Sequence, residues 1–208
     1  MKLIFLGPPG AGKGTQAGAV ANALEIKHIS TGDMFRVAIR NRTRTGLMAN
    51  EYIVKGLLVP DEVVVQMVQE RLGYDDCANG YLLDGFPRTV FQAMALDEIS
   101  APDKVIDLEV PDRALVIRLA GRRICKDCAG TFNISRLDDL KHCPICGGEL
   151  IHRIDDHEET IVSRLEVYHK TTESLLKYYK EQGKLMVVNG DQAHEAVAKE
   201  ILSSLGIA

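Results

Sequence analysis

The sequence predicts an α/β protein whose core is a five-stranded parallel sheet with helices on both faces. Apolar, β-branched runs alternate with helix-length segments, as in parallel sheets that are covered on both sides. A glycine-rich turn directly follows the first apolar run, and a cysteine-bearing segment at about 121–156 interrupts the alternation. The chain has 208 residues, of which 46% are hydrophobic, so one domain with insertions fits better than two full domains.

Each element of this prediction follows from local pattern. Several helix candidates begin beside Asp, Ser or Thr, whose side chains can cap a first helical turn. The predicted strands are 3–6, 27–29, 81–83, 105–110 and 185–188. The predicted helices are 12–24, 32–41, 46–55, 61–72, 89–99, 112–121, 158–182 and 192–205.

The charge balance limits the classes of partner. The chain carries 25 basic and 29 acidic residues, a net charge of -4, which argues against broad capture of nucleic acid or of an anionic membrane. An anionic ligand must therefore be held by locally placed arginines. The segment 1–6 is basic and then apolar, as in a signal peptide, but its apolar run is too short, so we expect a buried strand and a cytoplasmic protein.

The glycine-rich turn predicts phosphate binding. It runs from Gly7 to Thr15 and leads from an apolar run into a helix-compatible stretch. Glycines let backbone N–H groups surround an oxyanion, the helix that follows adds the positive end of its dipole, and Lys13 adds a mobile charge. The spacing fits Gly-x-x-x-x-Gly-Lys, but Gly14 replaces the usual Ser or Thr and the hydroxyl comes one place later. The alternative is a tight turn that binds nothing.

The interrupting segment predicts a structural metal site. Two C-x-x-C pairs, Cys125 with Cys128 and Cys143 with Cys146, are separated by the 14 residues 129–142, which is close to the spacing of four-cysteine zinc sites. Four thiolates leave no open position for water, so the metal is not catalytic. Zn²⁺ is preferred, although iron also suits four sulfurs. The alternatives are two disulfides or four unconnected thiols, and Cys77 is a lone thiol without an assigned role.

Three further strings, taken together with the glycine-rich loop, identify a resemblance. They are Thr31-Gly32-Asp33-Met34-Phe35-Arg36, Gly56-Leu57-Leu58-Val59-Pro60-Asp61 and Leu83-Asp84-Gly85-Phe86-Pro87-Arg88. With Gly-Lys-Gly-Thr in the loop, the chain resembles the adenylate kinases over essentially its whole length. The resemblance implies the P-loop nucleoside monophosphate kinase fold, and the cysteine segment resembles the metal-bearing lid of some bacterial members.

The resemblance also implies a division of the chain and a chemistry. Residues 1–29, 60–120 and 157–208 would form the core domain, 30–59 an AMP-binding insert and 121–156 the lid. The implied reaction is the reversible, Mg²⁺-dependent transfer of the γ-phosphoryl group of ATP to AMP, which gives two ADP. The implied ligands are thus ATP, AMP and ADP, with catalytic Mg²⁺ and structural Zn²⁺, and a monomer is expected.

Site residues carry over from the family by position. The implied catalytic residues are Lys13, Arg36, Asp84, Arg88, Arg122, Arg153 and Arg164. The implied ATP contacts are Gly10, Ala11, Gly12, Lys13, Gly14, Thr15, Arg118, Arg122, Thr131, Phe132 and Gln192. The implied AMP contacts are Thr31, Arg36, Leu57, Leu58, Val59, Gly85, Phe86, Pro87, Arg88, Gln92, Arg153 and Arg164.

Two alternative functions stay open at this point. A kinase for another monophosphate, UMP or CMP, would share the motifs, although Thr31 and Gln92 favour AMP. A zinc-ribbon module that binds nucleic acid would carry a basic, aromatic-rich ribbon. The segment from Cys125 to Cys146 instead mixes acidic and basic residues and has Phe132 as its only aromatic side chain, so we expect no nucleic-acid partner and no membrane partner.

Overall fold

Five parallel strands form the central sheet of the computed structural model, which describes residues 1–207. They lie side by side in the order β2-β3-β1-β4-β8. The arrangement confirms the predicted fold class, and it brings the carboxyl ends of all five strands to one edge, where open α/β sheets bind ligands. The strands are β1 (Lys2–Leu6), β2 (Lys27–Ser30), β3 (Tyr81–Asp84), β4 (Lys104–Glu109) and β8 (Leu185–Asn189).

The first strand divides the interior into two cores, one on each face of the sheet. Leu3 and Phe5 point into one apolar cluster, whereas Ile4 and Leu6 point into the other. This alternation is the two-residue period of an extended chain, and all four side chains are buried because helices cover both faces. The helices are α1 (Lys13–Ala23), α2 (Thr31–Arg40), α3 (Arg44–Ile53), α4 (Asp61–Leu72), α5 (Val90–Ser100), α6 (Asp112–Ala120), α7 (Glu158–Val167), α8 (Ser174–Glu181) and α9 (His194–Ser204).

The helix predicted at 158–182 is interrupted by a π-helical segment, Tyr168–Thr172. There the N–H of Glu173 donates to the carbonyl of Tyr168 at 3.0 Å, which adds one residue to the turn. The insertion rotates the apolar stripe: α7 packs on the cluster that contains Leu3, and α8 packs on the cluster that contains Ile4. One uninterrupted helix would present the same apolar stripe along its whole length and could not pack on both clusters. The prediction of a continuous helix over 158–182 was therefore wrong.

The cysteine-bearing segment folds into a small antiparallel sheet in the order β6-β5-β7. Its strands are β5 (Arg122–Cys125), β6 (Thr131–Asn133) and β7 (Leu150–Ile151). These strands are too short to show a periodic pattern, and the sequence did not predict them. Only Cys125, Cys143 and Leu150, with Phe132 and Leu137 beside them, form an apolar cluster here, so the segment has little core of its own.

None of the helices in residues 1–207 combines the length and the apolar character that a bilayer crossing requires.

Candidate functional site

The glycine-rich loop connects β1 to α1 in a conformation that glycine favours. Gly7, Gly10 and Gly12 all have positive φ, at 126°, 89° and 96°. A Cβ atom at Gly7 would lie 2.7 Å from the carbonyl oxygen of Leu108, so a side chain there would displace the backbone of β4. A Cβ atom at Gly12 would meet nothing within 4 Å, because this residue faces an open cleft at the first turn of α1. The loop therefore presents backbone N–H groups and a helix N-terminus to the cleft.

The residue after Lys13 is glycine because the space beside it is already occupied. A Cβ atom at Gly14 would lie 3.2 Å from Oδ2 of Asp84, closer than ordinary van der Waals contact. The Ser or Thr of the generic motif would crowd this carboxylate. The hydroxyl of Thr15, one residue later, lines the cleft without that conflict.

Lys13 folds back over the loop. Its Nζ donates to the carbonyl of Gly7 at 2.6 Å and to that of Pro8 at 2.8 Å. Burial lowers the pKa of Lys13 to about 8, the charge of Asp84 opposes that shift, and nearby arginines add to it. A phosphate group that enters the loop would place negative charge beside this ammonium and would favour its protonated form.

Asp84 ends β3 directly beside the loop. Burial alone would raise the pKa of Asp84, but the neighbouring His28 imidazole and the Lys13 ammonium hold that pKa below its usual range. His28 Nε2 lies 3.9 Å from Asp84 Oδ2. An ionised carboxylate at this strand end suits Mg²⁺, which favours one or two carboxylates together with retained waters and phosphate oxygens.

Two arginines approach the cleft from the side of α2 and β3. Ser30 caps α2 by accepting from the N–H of Asp33 at 3.2 Å, and one turn later Arg36 donates to the Asp33 carboxylate at 3.1 Å. Arg88 follows β3 and donates from Nε to the carbonyl of Gly85 at 2.8 Å. Desolvation inside the cleft lowers the pKa of both arginines, although Arg88 keeps contact with solvent, and repulsion from Arg153 lowers it further. Their mutual repulsion makes the cleft receptive to anions.

Two buried carboxylates hold three more arginines. Asp156, whose side chain has no exposed surface, accepts from Arg122 Nε at 2.6 Å and from Arg164 Nη1 at 2.8 Å. Asp155 accepts from Arg153 at 2.9 and 2.7 Å. Burial alone would raise the pKa of Asp155, but Arg164 and Arg153 hold it well below its usual range. The cluster fixes three guanidinium groups that would otherwise repel each other.

A single cleft of about 1210 Å³ joins these groups. It is lined by the glycine-rich loop, by Arg36 and Arg88, and by residues of the cysteine-bearing segment. The structure therefore brings most of the sequence-predicted residues together. Those that line the cleft are Gly10, Ala11, Gly12, Lys13, Gly14, Thr15, Arg36, Leu58, Asp84, Gly85, Pro87, Arg88, Arg118, Arg122, Thr131, Phe132, Arg153, Arg164 and Gln192.

Five predicted AMP contacts do not line this cleft. Phe86 and Val59 are buried in the apolar core, and Leu57 is 44% exposed. Thr31, only 2% exposed, donates its hydroxyl proton to the carbonyl of Gly85 at 2.9 Å. Gln92 is also buried and bonded to other protein groups. In this conformation Thr31, Val59, Phe86 and Gln92 are therefore buried in the protein, and Leu57 faces solvent outside the cleft.

Both ends of the Gln92 amide are bonded to protein groups. Its Oε1 accepts from the backbone N–H of Arg88 at 2.7 Å, and its Nε2 donates to Asp61 Oδ1 at 2.7 Å. Asp61 also accepts from the hydroxyl of Thr89, which caps α5. Asp61 ends one of the three motif strings, but sequence reasoning gave it no role, because its contacts with Thr89 and Gln92 join distant parts of the chain.

Two predicted donor-side residues are held by the segment after β8. Arg118 donates to the carbonyl of Gly190 at 3.1 Å and to Asp191 Oδ1 at 2.8 Å. Gln192 donates to the carbonyl of Asn189 at 2.9 Å. Both line the cleft, so the end of the sheet and the helix that leads to the lid form one wall.

The four predicted cysteine ligands converge in the lid. Their sulfur atoms all lie within 4.8 Å of one another, with Cys125 Sγ 3.5 Å from Cys146 Sγ and Cys128 Sγ 3.6 Å from Cys143 Sγ. All five cysteines of the chain are unbridged, which contradicts the disulfide alternative. A tetrahedron with metal–sulfur bonds of about 2.3 Å has edges of about 3.8 Å, so the donor set fits a tetrahedral metal.

The two cysteine pairs form equivalent turns. In each, the residue four places after the first cysteine donates its N–H to the carbonyl of that cysteine: Ala129 to Cys125 at 3.1 Å and Gly147 to Cys143 at 2.8 Å. Both residues have positive φ, at 58° and 75°. In the second turn this position is a glycine, Gly147, whereas in the first turn the positive φ falls on Ala129.

Comparison with known proteins agrees with this geometry. The family model described as adenylate kinase matches residues 5–184. The chain is 50% identical to an adenylate kinase of Caldicellulosiruptor bescii, over 100% of both chains. It is also 50% identical to adenylate kinases of Alkaliphilus oremlandii, over 99% of each chain, and of Desulforudis audaxviator, over 99% of this chain and 100% of that one. The chain therefore belongs to the adenylate kinase family.

Proposed function

We propose that the protein catalyses the reversible transfer of the γ-phosphoryl group of ATP to AMP, giving two ADP. The observation that carries the proposal is that the six cations implied as catalytic all line a single cleft beside a phosphate-binding loop. Phosphoryl transfer needs little covalent help from a protein, because it depends on in-line placement and on neutralising charge spread over three oxygens. A ring of cations meets both needs. The six are Lys13, Arg36, Arg88, Arg122, Arg153 and Arg164.

The loop supplies the donor half of the site. Backbone N–H groups from Gly10 to Thr15 would surround the outer phosphates of ATP, and Lys13 would leave its carbonyl partners to bind them. Asp84, ionised and beside Gly14, would hold the water shell of Mg²⁺. When bound, Mg²⁺ neutralises charge on the β- and γ-phosphates. Thr131 and Phe132 of the lid, with Arg118 and Gln192, would enclose the rest of ATP.

The acceptor half lies toward α2 and the end of β3. Arg36 and Arg88 would grip the AMP phosphate, since a planar guanidinium can bind two phosphate oxygens at once. The base of AMP would lie toward Leu58, with Thr31 and Gln92 behind it as rigid support or, after a rearrangement, as direct partners. An AMP phosphate oxygen is already anionic, so the reaction needs no general base to create the nucleophile.

The lid would exclude water, the competing nucleophile. A site of this kind that stayed open would hydrolyse ATP, whereas closure of 121–156 over both nucleotides delivers arginines and removes solvent. The four thiolates would hold a structural metal, and we propose Zn²⁺. When bound, such a metal supplies folding energy that this small apolar cluster cannot.

The protein would act as a cytoplasmic monomer without nucleic-acid or membrane partners. The six proposed catalytic cations of a single chain line the same cleft, so the proposed chemistry does not require a second copy. The net charge of -4 supports the absence of nonspecific nucleic-acid binding. We propose that 30–59 binds AMP, that 121–156 forms the lid, and that the remaining segments form the core domain.

A coupled assay for ADP formed from ATP and AMP tests this function. We expect AMP-dependent ADP formation by the unmodified protein and a loss of at least about 100-fold in Arg88→Ala, since arginine contacts to a transferring phosphoryl group carry large rate factors. Arg113→Ala removes an exposed arginine of α6 outside the cleft and serves as the matched control. Absence of AMP-dependent ADP formation would overturn the proposal, and faster turnover with UMP or CMP would move the assignment to another monophosphate.

A further inference from the structure

A second cavity lies on the other side of the phosphate loop. It has a volume of about 410 Å³ and is separate from the nucleotide cleft, although Tyr168 lines both. Pro8 of the loop forms part of its wall. Four carboxylate side chains line it and no lysine or arginine does, so it is strongly acidic. The four are Asp107, Glu109, Asp112 and Glu173.

Asp107 makes this cavity more than a cluster of surface acids. It is a β4 residue that is only 1% exposed, and its Oδ1 has no hydrogen-bond partner within the described structure. Burial raises the pKa of Asp107 to about 6, and Glu109 adds to the shift, whereas Lys13 opposes it. A buried carboxylate oxygen without a partner costs free energy, so a side chain of this kind indicates a ligand that the protein part of the site does not supply.

The rim of the cavity carries two carboxylates with a histidine between them. Asp112 and Glu173 are about half exposed and lie on either side of His169, at 3.1 and 3.3 Å from its ring nitrogens. His169 belongs to the π-helical segment, so the extra residue in that turn helps to place it between the two carboxylates. A cation entering from solvent would meet these two carboxylates before reaching Asp107.

We propose that a hydrated divalent cation such as Mg²⁺ binds in this cavity, with Asp107 and the rim carboxylates accepting hydrogen bonds from its water shell. Within the part of the chain that the structure describes, only the four lid cysteines bring three or more such ligand atoms within 4.8 Å of one another. The carboxylates here are too dispersed to strip a cation of its waters. Mg²⁺ keeps several waters in protein sites, and six waters at about 30 Å³ each leave room in 410 Å³.

The cavity has two structural links to the nucleotide site. The carbonyl of Pro8, in its wall, accepts a hydrogen bond from Lys13 at 2.8 Å. Thr172, the last residue of the π-helical segment, donates to the carbonyl of Arg88 at 3.0 Å. Cation binding would therefore stabilise Pro8 in the phosphate loop and the contact of Thr172 with Arg88. It would also raise the melting temperature of the protein without nucleotide.

The test uses Mn²⁺ as the probe on the nucleotide-free full chain with its lid metal retained. Binding is measured by electron paramagnetic resonance, and the site is located by paramagnetic broadening of amide signals. Asp84→Asn weakens the proposed catalytic metal site, so the remaining Mn²⁺ should broaden signals at 168–173. Asp107→Asn in the same background should weaken this binding by about tenfold or more, and abolish the gain in melting temperature.

Two further variants keep the test decisive if the buried substitution perturbs folding. Glu173→Gln changes a half-exposed rim residue and should weaken Mn²⁺ binding by about threefold, the scale expected of a partly screened charge. Glu166→Gln removes an exposed carboxylate outside the cavity and should change nothing. The proposal is overturned if Mn²⁺ broadens no signals at 168–173, or if Glu173→Gln and Glu166→Gln bind it equally well.

Discussion

The substitution Asp156→Asn offers a sharp test of how the cleft holds its arginines. Asp156 has no exposed side-chain surface and accepts hydrogen bonds from Arg122 and Arg164. Asparagine preserves the shape of the side chain but removes its charge, and it turns an NH₂ group toward one of the two guanidinium donors. Two cations would then lie close together with one fewer compensating carboxylate.

The cost follows from the burial of these groups. Breaking a buried ion pair by removing one partner costs about 3–5 kcal/mol, because the other charge is left without compensation. In a protein of this size 1 kcal/mol corresponds to about 2–4 °C, so the melting temperature should fall by about 6–20 °C.

Activity should fall as well, because Arg122 and Arg164 would lose their fixed positions. A displacement of about 1 Å in a catalytic group can cost about 100-fold in rate, and we expect a decrease of that order in kcat. Differential scanning calorimetry and the ADP-forming assay measure the two effects. Asp138→Asn removes an exposed lid carboxylate and is the control. The reasoning fails if Asp156→Asn has the same melting temperature as the control variant, or if its kcat is unchanged.

Two further predictions concern the metal and the loop lysine. Removing the lid metal with a chelator should lower the melting temperature, while the turnover rate at saturating nucleotide should change little. This idea is wrong if turnover vanishes while the melting curve stays the same. Since the pKa of Lys13 is lowered to about 8, its charge is progressively lost as the pH rises through that value, and ATP affinity should fall with it. Bound phosphates restore the charge, so calorimetry in buffers of different ionisation enthalpy should detect more proton uptake on ATP binding at about pH 9 than at about pH 7. Lys13→Arg stays charged and should abolish that difference; equal uptake by both proteins would contradict the argument.

The features that the sequence predicted well are those encoded locally. The phosphate loop needs only an apolar run, a set of glycines and a following helix, all within 3–24. Four cysteines in two short pairs likewise specify their own convergence, since each pair forms one turn. The alternation of strands and helices predicted the sheet because β1, β3 and β8 carry nearly continuous apolar runs, whereas β2, Lys27–Ser30, has only Ile29 as an apolar residue.

The features that the sequence did not reveal depend on contacts distant along the chain. The π-helical segment exists because α7 and α8 serve opposite faces of the sheet, and no window of residues 158–182 shows that division. Gln92 could be placed by family resemblance, but its engagement with Asp61 depends on the packing of α4 against α5. The sequence shows Asp107 only as one acidic residue in an apolar strand. That its Oδ1 is buried without a hydrogen-bond partner is seen only in the folded structure.

The central claim is that one closed cleft transfers a phosphoryl group between two nucleotides and keeps water out. Phosphorus-31 NMR of the protein with Mg²⁺ and ADP alone tests it most directly. We predict that ADP is converted to ATP and AMP in equal amounts, without inorganic phosphate. Accumulation of inorganic phosphate, or an unchanged ADP spectrum, would contradict the account.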